Sequence, residues 1–181
     1  WAEGLRFAAE KQAWLDTQRA RQPPRIPFQA GESIPVAGTP HRIALAERAR
    51  DPVRAEGGVL RVGGRAETVP RLVEAWLKTA AHHGLTAAVA RYSAALELEP
   101  PLRDPKTRWG SCSSRARLSF SWRLAMAPAE VLDYVAAHEV AHLRELNHSP
   151  RFWALVAGLM PDYREHEAWL RRHGRGLHRY G

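Results

Sequence analysis

Cysteine is nearly absent: Cys112 is the only one in 181 residues. A disulfide framework within the chain is therefore excluded, and a reducing cytoplasm is the simplest compartment. No apolar run approaches the roughly 20 residues that a membrane-spanning helix needs, so no membrane partner is expected. No secretory leader pattern is visible. The chain begins at Trp1 rather than Met, which reads as a fragment or as a chain lacking its start. Internal repeats and low-complexity tracts are missing as well. Acid is scarce beside base, with 19 Asp and Glu against 27 Lys and Arg, a net charge of +8 and a pI near 10.5. That balance favours an anionic partner such as nucleic acid. The basic residues are spread out, however, apart from Arg171, Arg172, Arg175 and Arg179, and a solubilising surface accounts for them more simply.

What remains is ordinary globular material, 45% hydrophobic and 25% charged. The length suits one domain, or one domain with a lobe, and permits a real core. Glu3 to Arg21 reads as an amphipathic helix, broken by "RQPPRIPFQAGE". Ile34 to Arg48 and Val53 to Val62 read as short antiparallel strands, turning at "AGTP" and "EGG". Glu67 to Leu98 is a helical stretch interrupted near Gly84, with Trp76, Leu77, Ala80, Val89, Tyr92 and Leu96 on its buried face. Then the rhythm changes. Leu118, Phe120, Trp122 and Leu124 alternate with polar residues, the period-two pattern of a strand with one buried face. "GSCSS" supplies the turn before it, and Leu102 to Trp109 its hairpin partner. Pro128 opens a helix that runs to about Leu146, where Asn147 terminates it in a left-handed conformation. Ser149 caps a helix from Pro150 to Met160. Pro161 and Asp162 start a last helix that ends near Gly174.

The third of these helical segments carries "HEVAH", that is His138, Glu139 and His142. Residues four apart on a helix project from one face, so both imidazoles can reach one Zn²⁺ at about 2.0–2.1 Å. Glu139 stands about 100° round the helix from His138. It cannot easily share the ion, but it can take a proton from an attacking water. The motif is short, and chance matches occur. Its setting strengthens it: Val131, Leu132, Val135, Ala136, Val140, Ala141 and Leu143 make the helix apolar and buried. Buried imidazoles need partners, because unpaired buried polar groups are costly, and one metal ion satisfies both.

Catalytic zinc usually takes three protein ligands and a water. His148 lies six residues beyond His142, just past the expected helix end, and a turn at Asn147 can bring it back. Glu165, on a later helix, can supply a carboxylate instead. Glu145, three residues past His142 on the same helix, points near the ligand face but one turn further along, too far for the same ion.

Several stretches together are more specific than the pentad. "RWGSCSS", the "SWRL…AP" link, "HEVAHLRELNHSPRFW" and "MPDYR" resemble the YgjP-like metallopeptidase family, which is related to SprT-like and WLM metalloproteases. The resemblance covers Lys106 to Leu170. It implies a zincin-like α+β fold, with an antiparallel sheet packed on the active-site helix. It implies zinc held by His138, His142 and His148, with Glu139 as catalytic base. The chain is then organised as an N-terminal strand and helix region, 1–99, and a catalytic region, 100–181, forming one compact unit.

The expected reaction is peptide-bond hydrolysis of a protein or peptide substrate. Alternatives are zinc-dependent hydrolysis of another amide or ester, or a DNA-associated protease or binding module, although no DNA-binding motif follows the catalytic region. A transition-state oxyanion needs a further donor, for which Tyr163, His166 and Arg151 are candidates, Tyr163 first. The strand Leu118–Leu124 can add an extended substrate as a further strand, or serve as an internal strand of the core. Trp109 reads as a core aromatic and Cys112 as a small turn residue. Phe152 and Trp153 are expected to pack the post-ligand helix on the active-site helix and hold His148.

Overall fold

The computed structural model describes residues 7, 11–12, 24–46, 52–98, 102–103 and 109–181. The helix expected over Glu3–Arg21 lies outside the described residues, apart from Phe7, Lys11 and Gln12, which are helical.

The fold is mixed α+β. Two hairpins come first: β1 (Ser33–Val36) with β2 (Thr39–Ala46), and β3 (Val53–Glu56) with β4 (Val59–Gly63). Each hairpin is antiparallel, as its sequence suggested. Between them, however, β2 pairs with β4 in parallel, giving the order β1-β2-β4-β3. Single-strand alternation cannot reveal that join, because it fixes the buried face and not the neighbour. Ile34, Ile43, Leu60 and Val62 supply the buried face.

Helix α1 spans Val69–Ala95. Val69, Val73, Leu77, Ala81, Leu85 and Val89 recur every four residues and are buried. Trp76, Ala80 and Leu96, assigned to that stripe from sequence, lie at its margins, half-buried. The interruption expected at Gly84 does not occur. Glycine costs a helix about 1 kcal/mol, while a buried Leu side chain such as Leu77 or Leu85 contributes about 1.5–3 kcal/mol, so packing wins. A Cβ on Gly84 would meet Leu132 Cδ1 at 3.3 Å, so the glycine marks where α1 crosses the next helix closely.

The second sheet is small. It holds β5 (Leu102–Arg103), β6 (Gly110–Cys112) and β7 (Leu118–Phe120) in the order β5-β7-β6. Here the sequence reading needs three corrections. The hairpin partner of β7 is β6, while β5 pairs with β7 in parallel. Gly110–Cys112 is therefore strand, and the turn is Ser113–Arg117, closed by the Ser113 N–H on the Arg117 carbonyl at 3.0 Å. Finally, the strand stops at Phe120, and Trp122–Met126 is a 3-10 helix capped by the Ser121 side chain. Its alternation misled because a 3-10 turn can also bury Leu124 and Met126 while leaving Trp122 and Arg123 half-exposed.

Helix α2 (Ala129–Ala141) runs through the core, with Val131, Leu132, Val135, Ala136, Ala137, Val140 and Ala141 buried. The tip of the first hairpin docks at its N-terminal end. Ala37 and Gly38 donate to the carbonyls of Ala125 and Met126 at 2.9 and 3.1 Å. Across its middle, Arg91 on α1 pairs with Asp133 at 2.6 Å. Helices α3 (Pro150–Leu159) and α4 (Tyr163–Leu177) follow, near their expected bounds. The buried apolar residues form one cluster from Phe28 to Leu177. Among the described residues no helix is long and apolar enough to cross a membrane.

Candidate functional site

Helix α2 ends at Ala141, five residues before the expected end, and His142 is its C-cap. The chain then tightens: Leu143 and Arg144 donate back three residues, to Val140 and Ala141, both at 3.0 Å. Asn147 does not take the left-handed conformation expected of it. The turn is made earlier, by those short-range bonds and by the His142 side chain. His142 Nδ1 lies 3.0 Å from the Glu145 carbonyl oxygen and donates to it, which leaves Nε2 with a free lone pair.

This early turn returns His148 to the helix. His148 Nε2 lies 3.0 Å from His138 Nε2. The ring centroids are 5.0 Å apart for His138 and His142, 5.0 Å for His138 and His148, and 4.7 Å for His142 and His148. The ligand atoms of all three histidines lie within 4.8 Å of one another, and no other group of three His, Cys, Asp or Glu among the described residues is so placed. Glu165 is exposed on α4 and outside the cluster. Glu145 contributes its backbone carbonyl, because the helix that would have carried its side chain one turn on has already ended.

The donor set fits a divalent ion. A tetrahedral ion holding imidazoles at about 2.0–2.1 Å spaces its nitrogens about 3.3 Å apart, close to the spacing of His138 and His148. Burial, then the neighbouring His142 and His148, pushes the His138 imidazole down to about 4. Burial first also lowers His142, against the raising effect of its bond to Glu145. Both groups thus favour the neutral form that a metal ligand requires.

Aromatic rings enclose the cluster. Phe152, fully buried, contacts His138, His142 and His148 at centroid distances of 4.9, 4.4 and 4.7 Å. Trp153 contacts His138 at 5.9 Å and His148 at 5.8 Å. The Ser149 hydroxyl accepts from the Phe152 N–H at 3.3 Å, fixing the start of α3, as its N-cap reading implied. Tyr163 is buried and stacks on Trp153 at 5.4 Å and on Tyr134 at 6.4 Å, and its hydroxyl accepts from Arg164 Nε at 3.3 Å. His166 lies 3.3 Å from Asp162, and Arg151 is exposed.

Glu139 is 7% exposed and faces β6. Burial and the Glu139 carboxylate together push the Cys112 thiol up, so that cysteine is not a ready thiolate. β7 has partners on both sides, so it is the internal strand of the sheet, the second of its two sequence readings, and among the described residues the edge strands are β5 and β6. Trp109 packs in the fold, 4.8 Å from His178 and against Gly174. Two residues escaped the sequence reading. Tyr134 places its hydroxyl 3.5 Å from His138 Nδ1, and its position four residues before His138 on one helix was a usable signal. Gly110, against Glu139, gave none.

The family described as YgjP-like, metallopeptidase domain, matches residues 2–173. No curated protein matches the chain. Among solved structures, the crystal structure of the metallopeptidase zymogen of Pyrococcus abyssi abylysin is similar at 20% identity and a TM-score of 0.42, over 50% of this chain and 93% of that one. Nothing in these comparisons supports a nucleic-acid partner.

Proposed function

The chain belongs to the YgjP-like metallopeptidase family, and from that premise we propose that it is a zinc-dependent peptidase of zincin-like fold, cutting protein or peptide substrates. In this reading His138, His142 and His148 hold the ion and Glu139 is the general base. Residues 1–99 frame the catalytic region, 100–181, in one unit. The observation that carries the proposal is the convergence of the His138, His142 and His148 imidazoles, with the buried Glu139 next to His138 in the helix.

Bound there, Zn²⁺ would supply Lewis-acid polarisation of the scissile carbonyl and lower the pKa of a water toward about 7. The rest falls to the chain. Glu139 accepts the proton of the attacking water and delivers it to the leaving nitrogen. The Glu145 carbonyl fixes the His142 tautomer, and Tyr134 orients His138. Tyr163 is the proposed donor to the developing oxyanion, because a hydroxyl that accepts from Arg164 still has its own O–H to donate.

Metal content and cleavage of an unfolded protein, measured on the same preparations, test the reading. Wild type and Glu139→Gln should each carry one zinc, with cleavage only in wild type. His148→Ala should lose the metal and Glu165→Ala keep it. A wild type that takes up no zinc on reconstitution would refute the site, and undiminished cleavage by Glu139→Gln would refute the base. Metal loss in Glu165→Ala but not His148→Ala would show that the third ligand is the carboxylate.

A further inference from the structure

We propose that Gly110 is a positioning residue for the Glu139 carboxylate, its bare Cα forming the wall against which that side chain is held. The inference rests on the reading of Glu139 as general base. A Cβ built on Gly110 would lie 2.6 Å from Glu139 Cγ, 2.6 Å from Oε1 and 2.9 Å from Cδ. Real Cβ atoms essentially never come that close to another heavy atom.

The glycine is not there for its backbone. Gly110 is not among the residues with positive φ, and it sits in β6 paired with Phe120, a conformation open to any residue. What its missing side chain provides is space, and Glu139 occupies it. Turning the end of the Glu139 side chain cannot clear an added methyl, because the conflict reaches back to Cγ. Moving Cγ means changing χ1, which a helix restricts to two wells. Moving the strand is no easier. The Ser121 N–H bonds the Trp109 carbonyl at 2.9 Å, and Trp109 is lodged against Gly174 of α4. The carboxylate is thus confined between the backbone of β6 and the helix that also carries His138 and His142. One slot fixes the base relative to two ligands.

The test is Gly110→Ala, alone and combined with Glu139→Ala, with Ser111→Ala as a control on the same strand. Three readouts are taken: zinc content, kcat and KM for cleavage of an unfolded protein, and Tm. Gly110→Ala should keep its zinc and its KM and lose about 100-fold in kcat, the cost of a base displaced by about 1 Å. Its Tm should fall by several degrees in the wild-type background and not fall when Glu139 is already alanine. If Gly110→Ala is too unstable to purify, a folded double variant supports the proposal, and a double variant that also fails to fold overturns it. Wild-type kcat in Gly110→Ala, or an equal Tm loss in both backgrounds, overturns it as well. The Tm comparison needs neither zinc nor activity. It therefore reads the contact even if the chain proves to be no peptidase, and the two failures stay distinct.

Discussion

Replacing Phe152 should separate the packing of the site from its ability to hold metal. Phe152 is fully buried and touches all three imidazole rings, with centroids 4.4–4.9 Å away. Removing a buried phenyl ring costs about 3–5 kcal/mol, part lost transfer energy and part cavity. A domain has about 5–15 kcal/mol to lose, so Phe152→Ala should remain folded but melt far below wild type. Phe152→Leu keeps most of the volume and should cost about 1–2 kcal/mol. The ligands are affected separately. With the ring gone, each imidazole gains room to rotate, and loss of such support typically weakens metal binding 10–100-fold. Melts in excess chelator give the packing cost alone, and competition against a chromogenic chelator gives the zinc affinity. Phe152→Leu is the deciding variant, because it loses ring contacts with little cavity. It should bind zinc at least several-fold more weakly than wild type. If Phe152→Ala is destabilised as calculated while both variants bind zinc like wild type, the ring is filling space and not orienting ligands. If Phe152→Ala is barely destabilised, the packing argument itself fails.

Tyr163→Phe keeps the stacking on Trp153 and Tyr134, so it should leave Tm nearly unchanged. If the hydroxyl stabilises the oxyanion, kcat should drop about 10²–10³-fold, and an unchanged kcat would leave Tyr163 a packing residue. Ser149→Ala removes the cap on Phe152 N–H and should cost about 1 kcal/mol, read as a lower urea midpoint at constant m. In chelator-treated protein the folded state keeps His138 neutral down to about pH 4, whereas the unfolded chain binds that proton near 6.5. The resulting stability is full above about pH 6.5 and is lost as pH falls toward 4, by at most about 3 kcal/mol. Replacing His138 with Gln should flatten that part of the pH–stability curve.

The site was more legible than the sheet around it, for a physical reason. His138, Glu139 and His142 lie within one helical turn, where spacing alone fixes geometry. Ser149-Pro150 is equally local, and its cap appears where expected. His148 was reachable by count, although the expected turn at Asn147 was wrong: the chain reverses at Ala141–Glu145 through a side-chain bond from His142 that no propensity encodes. Strand pairing is not local. Nothing in Thr39–Ala46 indicates that its second neighbour is Val59–Gly63 in parallel, or that Leu118–Phe120 has Leu102–Arg103 as a parallel neighbour and Gly110–Cys112 as its hairpin partner. Gly84 and Gly110 show the same limit, since each is explained by a side chain from α2, and a lone glycine in sequence reads only as a weak point.

That limit bears on how the N-terminal half contributes to the site. One proposed ligand, His138, and the proposed base ride on α2 and a second ligand, His142, caps it; the 13 residues of α2 make a rod about 20 Å long. A tilt of about 3° at its far end would shift the ligand end by about 1 Å, a displacement that can cost a catalyst about 100-fold. The helix is held against such a tilt at three levels. At its start, the Ala37–Gly38 tip bonds Ala125 and Met126, and a Cβ on Gly38 would meet Pro128 Cγ at 2.9 Å. Across its middle runs the Arg91–Asp133 pair, and at its end His142 grips Glu145. The first two holds come from the hairpin and from α1, elements that bring no residue to the histidine cluster. Their sequence therefore reads as structural even where its effect is on the geometry of the site.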